Sequence, residues 1–172
     1  MKFVQIIDLN NCVDVKQLYH ESFPIEEQVE FEKLFSGVFG EYKLYGVYEN
    51  EILVAMVHFC GLDNFVHINY LAVKSDCQSK GYGTACLNFV KDLYSNIPLV
   101  LDIEEIDENA DNNINRIRRI EFYRKNGFVN GKYKFMWQGT LMTYMHTKRI
   151  NDDEFMKYIK VVFPTITDIS LK

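Results

Sequence analysis

Long apolar runs are missing from this chain. Nowhere do ~18 apolar residues stand together, so no membrane-spanning helix is expected. The opening stretch Met1-Lys2-Phe3-Val4-Gln5-Ile6-Ile7-Asp8 has too short an apolar run for a signal peptide and no small-residue cleavage site. A cytoplasmic location is therefore expected. No C-x-x-C pair occurs, and Cys12, Cys60, Cys77 and Cys86 read as reduced, mostly buried small hydrophobes. His20, His58, His67 and His146 lie far apart, without zinc-ligand spacing, so no metal is expected. Positive charge is scarce as well: the net charge is −5, and no basic run approaches a nucleic-acid face. The densest basic group, Arg116, Arg118, Arg119, Arg124 and Lys125, reads as a solvated helix face, so neither nucleic acid nor membrane is an expected partner. There is no G-x-x-x-x-G-K-[ST] run, no full G-x-G-x-x-G, no repeat and no linker.

What is present fits one globular domain. At 172 residues a chain buries about 70% of its unfolded surface, and the 15% of aromatic residues supply much of that core. The organising stretch runs from Leu71-Ala72-Val73 through Lys74-Ser75-Asp76-Cys77 to Gln78-Ser79-Lys80-Gly81-Tyr82-Gly83-Thr84. The aromatic and β-branched run 65–73 enters it as a strand. Ala85, Leu87, Phe89, Val90 and Leu93 leave it on one apolar helical face. Gly81 and Gly83 let a ligand approach the backbone, and the first-turn N–H groups of the helix favour a phosphate or pyrophosphate. Without further signals the pair is equally an ordinary strand–helix turn.

Gln78-Ser79-Lys80-Gly81-Tyr82-Gly83 stands in full as [QR]-x-x-G-x-[GA], and Phe122-Tyr123-Arg124-Lys125-Asn126-Gly127-Phe128 as F-Y-x-x-x-G-F. In this order, and after Leu71-Ala72-Val73, they resemble the GCN5-related N-acetyltransferase (GNAT) family over residues 3–145. The resemblance implies a single α/β domain over 1–172, with its core at about 3–146. Its sheet would be mixed and mostly antiparallel, of about seven strands flanked by helices. It implies an acetyl-CoA-dependent N-acetyltransferase acting on a primary amine of a small molecule or peptide, in a ternary complex. A non-catalytic acyl-CoA-binding regulatory module is the alternative. Dimers are frequent among proteins of this kind, which makes a homodimer a candidate assembly.

Taken in order, residues 3–7 read as a strand, and 13–23 as a helix through Val15, Leu18, Tyr19 and Phe23. Residues 25–35 read as a second amphipathic helix. Its Glu26, Glu27, Glu30 and Glu32 form either a solvated face or an acidic rim for a cationic amine. Gly37 and Gly40 mark a loop. Strands are expected at 42–48, 52–60 and 65–73, a helix at 81–94, and a buried strand at Leu99–Glu104. A helix at 114–126 is capped by Gly127, and Phe128-Val129 with 134–145 supply two last strands, Gly139 making a turn or bulge. Phe155, Ile159, Val162 and Phe163 space a C-terminal helix at about 152–163, closed by Pro164.

The resemblance implies a role for each part of the site. Pantetheine would bond the backbone around Leu71, Ala72 and Val73, with the Val73 N–H as the oxyanion donor. Pyrophosphate would sit on the amides of Gln78, Ser79, Lys80, Gly81, Tyr82, Gly83 and Thr84. Tyr123 matches the general-acid tyrosine, and a phenol with a pKa near ~10 is protonated at neutral pH. The alternative is a core tyrosine. For the base, His67 is the first candidate, because along a regular strand it shares a face with Asn69, Leu71 and Val73. Glu104 and Glu105 are rivals, with Asp102 on the strand face of Glu104. Many members carry Asn and Ala where this chain has Arg116 and Arg119. These arginines either meet cofactor phosphate or pair with Glu121 and its neighbours.

Overall fold

The computed structural model of the protein describes residues 1–36 and 40–171, so Gly37 lies outside the described residues. The chain divides into two compact units, Met1–Ile97 and Pro98–Lys172.

In the first unit, β1 (Lys2–Gln5) is followed by α1 (Val13–Ser22) and then β2 (Glu41–Glu49), β3 (Ile52–Gly61), β4 (Val66–Val73) and α2 (Tyr82–Leu93). The strands lie in the order β1-β2-β3-β4, each pair antiparallel. Asn50 and Glu51, at φ 49° and 64°, join β2 to β3, and positive φ at both central residues matches the twist of a tight hairpin. Val15, Leu18 and Tyr19 of α1 are buried against Leu44, Met56 and Ala72.

The helix expected at 25–35 does not form. Two short 3-10 turns, Ile25–Glu27 and Phe31–Phe35, take its place. The backbone groups a helix would use are claimed by side chains. The Tyr19 hydroxyl accepts from the Val29 N–H at 2.9 Å and donates to the Val29 carbonyl at 3.1 Å. Gln28 spans back to the Phe23 carbonyl at 2.6 Å. Tertiary contacts here outweigh the apolar spacing of the segment.

In the second unit, β5 (Leu99–Glu104) leads to α3 (Asn113–Lys125), β6 (Val129–Trp137), β7 (Thr140–His146), α4 (Asp152–Val162) and β8 (Thr167–Leu171). The order is β5-β7-β6-β8, again antiparallel at each pairing. α3 ends in a Schellman motif. The Phe128 N–H bonds the Tyr123 carbonyl at 3.1 Å and the Gly127 N–H bonds the Arg124 carbonyl at 3.0 Å, with Gly127 at φ 85°. Asn151 caps α4 through its side chain, and Phe155 and Ile159 are buried. Phe155 lies 4.6 Å from the Tyr144 ring.

The α/β, mostly antiparallel class expected from the sequence holds, with eight strands and four α-helices among the described residues. The strand count was expected at about seven. The eighth, β8, is a five-residue edge strand exposed along its length, and its Asp168-Ile169-Ser170-Leu171 alternation is too short to mark a strand by itself.

Candidate active site

β4 is not a regular strand. His58 pairs with Tyr70 but Phe59 pairs with Ile68, which leaves Asn69 as one extra residue, a β-bulge. Cys60, His58 and Met56 share one face with His67, Tyr70 and Ala72; Phe59, Val57 and Ala55 share the other with Ile68, Leu71 and Val73. The expectation that His67 shares a face with Leu71 and Val73 is therefore overturned. One inserted residue turns everything beyond it to the opposite side.

The bulge also turns the backbone. The Lys74 N–H bonds the Val54 carbonyl of β3 at 3.0 Å. Backbone groups alternate sides along a strand, so those of Tyr70 and Ala72 also point to β3, while those of Leu71 and Val73 point away from it. This suits the role expected of Leu71 and Val73. It removes Ala72 from the cofactor set: its backbone faces β3, and its methyl is buried beside Met56 and Leu44.

After β4, Ser75–Cys77 makes one 3-10 turn, and Ser79 and Gly81 take left-handed conformations at φ 61° and 88°. Lys80 closes the loop by donating to the Asp76 carbonyl at 2.8 Å, so its ammonium is committed within the loop. Gly81 is the N-cap of α2, with no side-chain cap bond. The first backbone bond of that turn runs from the Ala85 N–H to the Gly81 carbonyl at 3.0 Å. The amides of Tyr82, Gly83 and Thr84 stand ahead of it at the positive end of the helix dipole, an arrangement built to meet an anion. Gln78, Ser79, Lys80 and Gly81 are exposed, so a ligand reaches these amides from solvent.

His67 is wholly buried. Beside it, His58 is 2% exposed and its ring is fully engaged. Nε2–H donates to the Leu34 carbonyl at 2.8 Å, which leaves Nδ1 to accept from the Asn69 amide at 3.2 Å. Burial pushes the His58 pKa down to about 4, against the opposing pull of the Leu34 bond, and the neighbouring His67 lowers it further. His58 is neutral at physiological pH.

In the second unit, Glu104 ends β5 with both oxygens occupied. Oε1 lies 3.0 Å from Arg116 Nη2 and accepts from Asn112 Nδ2 at 3.2 Å, while Oε2 pairs with Arg119. Arg116 is buried, bonding Asn112 at 2.7 Å and the Glu105 carbonyl at 3.1 Å. Asn112, Arg116, Arg119 and Tyr123 are spaced four, three and four apart, one stripe of α3. Glu104 is thus a clamp on the stripe that ends in Tyr123, with both of its oxygens already engaged. Arg116 and Arg119, expected either to meet cofactor phosphate or to pair with Glu121 and its neighbours, both pair with Glu104. Glu105 lies 3.3 Å from Lys134.

Tyr123 is half-buried, with its ring 5.1 Å from Phe122 and 5.6 Å from Phe128. Burial pushes its hydroxyl up to about 12; Arg119 pulls it down and Asp102 pushes it up. It stays protonated at any physiological pH.

His58, Asn69 and Asn112 were missed from the sequence. Asn69 carried a signal, since asparagine is depleted in strand interiors and marks a break in the ladder. His58 carried a weaker one, as the single polar side chain in the apolar run 53–60. Of the acidic residues in 25–35, Glu32 pairs with Lys16 at 2.8 Å and Glu30 with Lys33 at 3.2 Å, both at the surface. Among the described residues, no three His, Cys, Asp or Glu side chains gather to hold a metal ion, and no helix is long and apolar enough to cross a membrane.

Known structures share this architecture. An acetyltransferase of the GNAT family from Bacteroides thetaiotaomicron superposes with a TM-score of 0.74 at 23% identity, over 95% of this chain and 98% of its own. A GNAT family acetyltransferase from Elizabethkingia anophelis, with acetyl-CoA bound, gives 0.65 at 16% identity over 86% and 97%. An aminoglycoside 6'-N-acetyltransferase in complex with coenzyme A gives 0.62 at 16% identity over 88% and 100%. No curated protein sequence matches the chain. The sequence model of the acetyltransferase (GNAT) domain matches residues 40–130, which run from the start of β2 past the Schellman cap of α3. With more than half of the chain matched, and the glycine loop and the Tyr123 helix end both inside the match, this protein belongs to the GNAT acetyltransferase family.

Proposed function

We propose that the chain transfers an acetyl group from acetyl-CoA to a primary amine, by direct attack within a ternary complex. The observation that carries this is the outward-turned backbone of Leu71 and Val73 running into the Gly81-capped start of α2. Together they supply hydrogen-bonding groups for pantetheine and an amide cradle for pyrophosphate. Recognition of this kind rests on the backbone, so Lys80 and Tyr82 need not be particular residues. Acetyl-CoA is the co-substrate, a reading supported by the acetyl-CoA bound in the Elizabethkingia relative.

The amine nitrogen attacks the thioester carbon, and the oxyanion that forms is held by the Val73 N–H. As the C–S bond breaks, CoA leaves as a thiolate, and Tyr123 donates its phenolic proton to the sulfur. A hydroxyl held near 12 is a reliable proton reservoir but a reluctant donor. Arg119, four residues earlier on α3, offsets part of the tyrosinate charge. The attacking amine loses its own proton to water. Glu104 is filled by Asn112 and its arginines, Glu105 is paired with Lys134, and His67 is buried on the face away from Leu71 and Val73. Attack without an acyl-enzyme fits the cysteines: burial pushes the Cys86 thiol up to about 12 and raises Cys12 and Cys77 as well, the opposite of an activated nucleophile.

The test is a thermal shift with acetyl-CoA, CoA and ATP side by side. A ligand at a hundred times its Kd adds about 2.7 kcal/mol, which for a chain of this size is about 5–10 °C. A shift with both acetyl-CoA and CoA but not ATP is expected. No shift with either at millimolar concentration would overturn the reading.

A further inference from the structure

The bulge in β4 is held by side chains that the reaction itself does not use. Without it, the pairing of Cys60 with His67 would continue as a regular ladder, and Leu71 and Val73 would point their backbone groups into β3. The one inserted residue, Asn69, is therefore what turns the cofactor strand outward. Its side chain does not face open solvent. It donates to His58 Nδ1 at 3.2 Å, and the other nitrogen of that ring donates to the Leu34 carbonyl at 2.8 Å. The next residue, Tyr70, donates its hydroxyl to the Glu27 carbonyl at 2.8 Å. Both bulge residues thus reach the 3-10 turns at 25–35, Tyr70 directly and Asn69 through His58. The His58 ring has little freedom to drift, packed 5.8 Å from Tyr42 and 5.8 Å from Tyr70.

We propose that His58 is a positioning residue for acetyl-CoA: by holding Asn69 as the extra residue of β4, it keeps the Leu71 and Val73 backbone groups turned to the cofactor. This rests on the acyltransferase reading given above. The neutral ring is the form that does it, because Nδ1 must accept from the Asn69 amide while Nε2–H donates to Leu34. No acidic or basic substitute offers both bonds from one flat ring.

The experiment is CoA binding by calorimetry to the full chain and to His58→Phe, His58→Gln, Asn69→Leu and the double variant His58→Phe/Asn69→Leu. Phenylalanine keeps the ring and its aromatic packing but neither hydrogen bond. Glutamine keeps one donor and one acceptor on a flexible arm. His58→Phe and Asn69→Leu are each expected to weaken CoA binding about tenfold, the effect of misplacing about one backbone hydrogen bond. The double variant should be no weaker than either single variant, since both break one chain of contacts. His58→Gln should recover most of the affinity. Folded variants that melt lower but bind CoA as the natural protein does would overturn the proposal, because His58 would then serve packing alone. So would losses that simply add in the double variant. If the phenylalanine variants fail to fold, the ring nitrogens of natural His58 decide by NMR. Their signals should shift on saturation with CoA, and unchanged signals would overturn the proposal. A natural protein that binds no CoA at all would instead remove the acyltransferase reading beneath it, so the two failures are distinct.

Discussion

The glycine loop of the first unit and the charged clamp of the second hold their parts in opposite ways. Residues 74–84 present backbone amides, arranged by left-handed Ser79 and Gly81, while Gln78, Ser79 and Lys80 are exposed, Lys80 reaching back to the Asp76 carbonyl at the surface. The clamp on α3 is made of side chains alone: Glu104 receives Asn112, Arg116 and Arg119, with Glu104 and Arg116 both buried. The loop should therefore tolerate side-chain changes and resist only changes of backbone conformation. The clamp should show the reverse, because a buried charge that loses its partner keeps its desolvation penalty.

The largest effect expected from this contrast is on stability. Glu104→Ala leaves Arg116 buried without its carboxylate and should cost about 3–5 kcal/mol, lowering the melting temperature by about 10 °C. Lys80→Ala, in the exposed loop, should change stability by less than about 0.5 kcal/mol. Thermal denaturation of both variants checks the pair. Equal losses would break the distinction between a loop built from backbone and a clamp built from side chains.

The next effect is kinetic. Tyr123→Phe removes the proton donor and leaves the ring between Phe122 and Phe128, so kcat should fall about a hundredfold with acetyl-CoA affinity unchanged. Steady-state rates read by free-thiol release, beside calorimetry, separate the two quantities. The pH profile adds a sign. A hydroxyl pushed up to about 12 is protonated below that pH, so Tyr123 should contribute no alkaline fall in rate up to about pH 10. A loss of CoA affinity without loss of kcat would return Tyr123 to a packing role.

The same contrast explains what could be read from the chain beforehand. The turn into α2 was legible because Gly81 and Gly83 stand at fixed spacing after the β4 run, and Gly81 takes the left-handed conformation that opens the helix. Strands β2, β3 and β4 were legible from aromatic and β-branched runs, and Gly127 announced the end of α3. The clamp was not legible. Glu104 and Arg119 are fifteen residues apart, and nothing in local spacing says that two arginines on a helix will fold back onto a strand end. The stretch 25–35 failed for a related reason: its apolar spacing is helical, but the Tyr19 hydroxyl, from ten residues earlier, takes both backbone groups of Val29. The face of His67 was misread because a periodicity of two holds only while the ladder is unbroken. Asn69 breaks it.

The smallest effect is the sharpest test of the loop. Gly81 and Gly139 sit at φ 88° and 79°, and a Cβ added at either meets nothing within 4 Å. Alanine at each site should thus carry the same conformational cost, about 1 kcal/mol, with no steric clash to confuse it. Gly139 closes the β6–β7 turn beside Gln138, and its replacement should lower the melting temperature by a few degrees and leave CoA binding as it was. Gly81 is the N-cap of α2, so relief of the same strain there tilts the amides of Tyr82, Gly83 and Thr84 away from the pyrophosphate. Gly81→Ala should therefore match Gly139→Ala in melting temperature and exceed it in CoA dissociation constant by several-fold, about 1 kcal/mol of binding. Equal affinity in the two variants would mean that the amides at the start of α2 do not carry the phosphate, however well the glycine spacing fits.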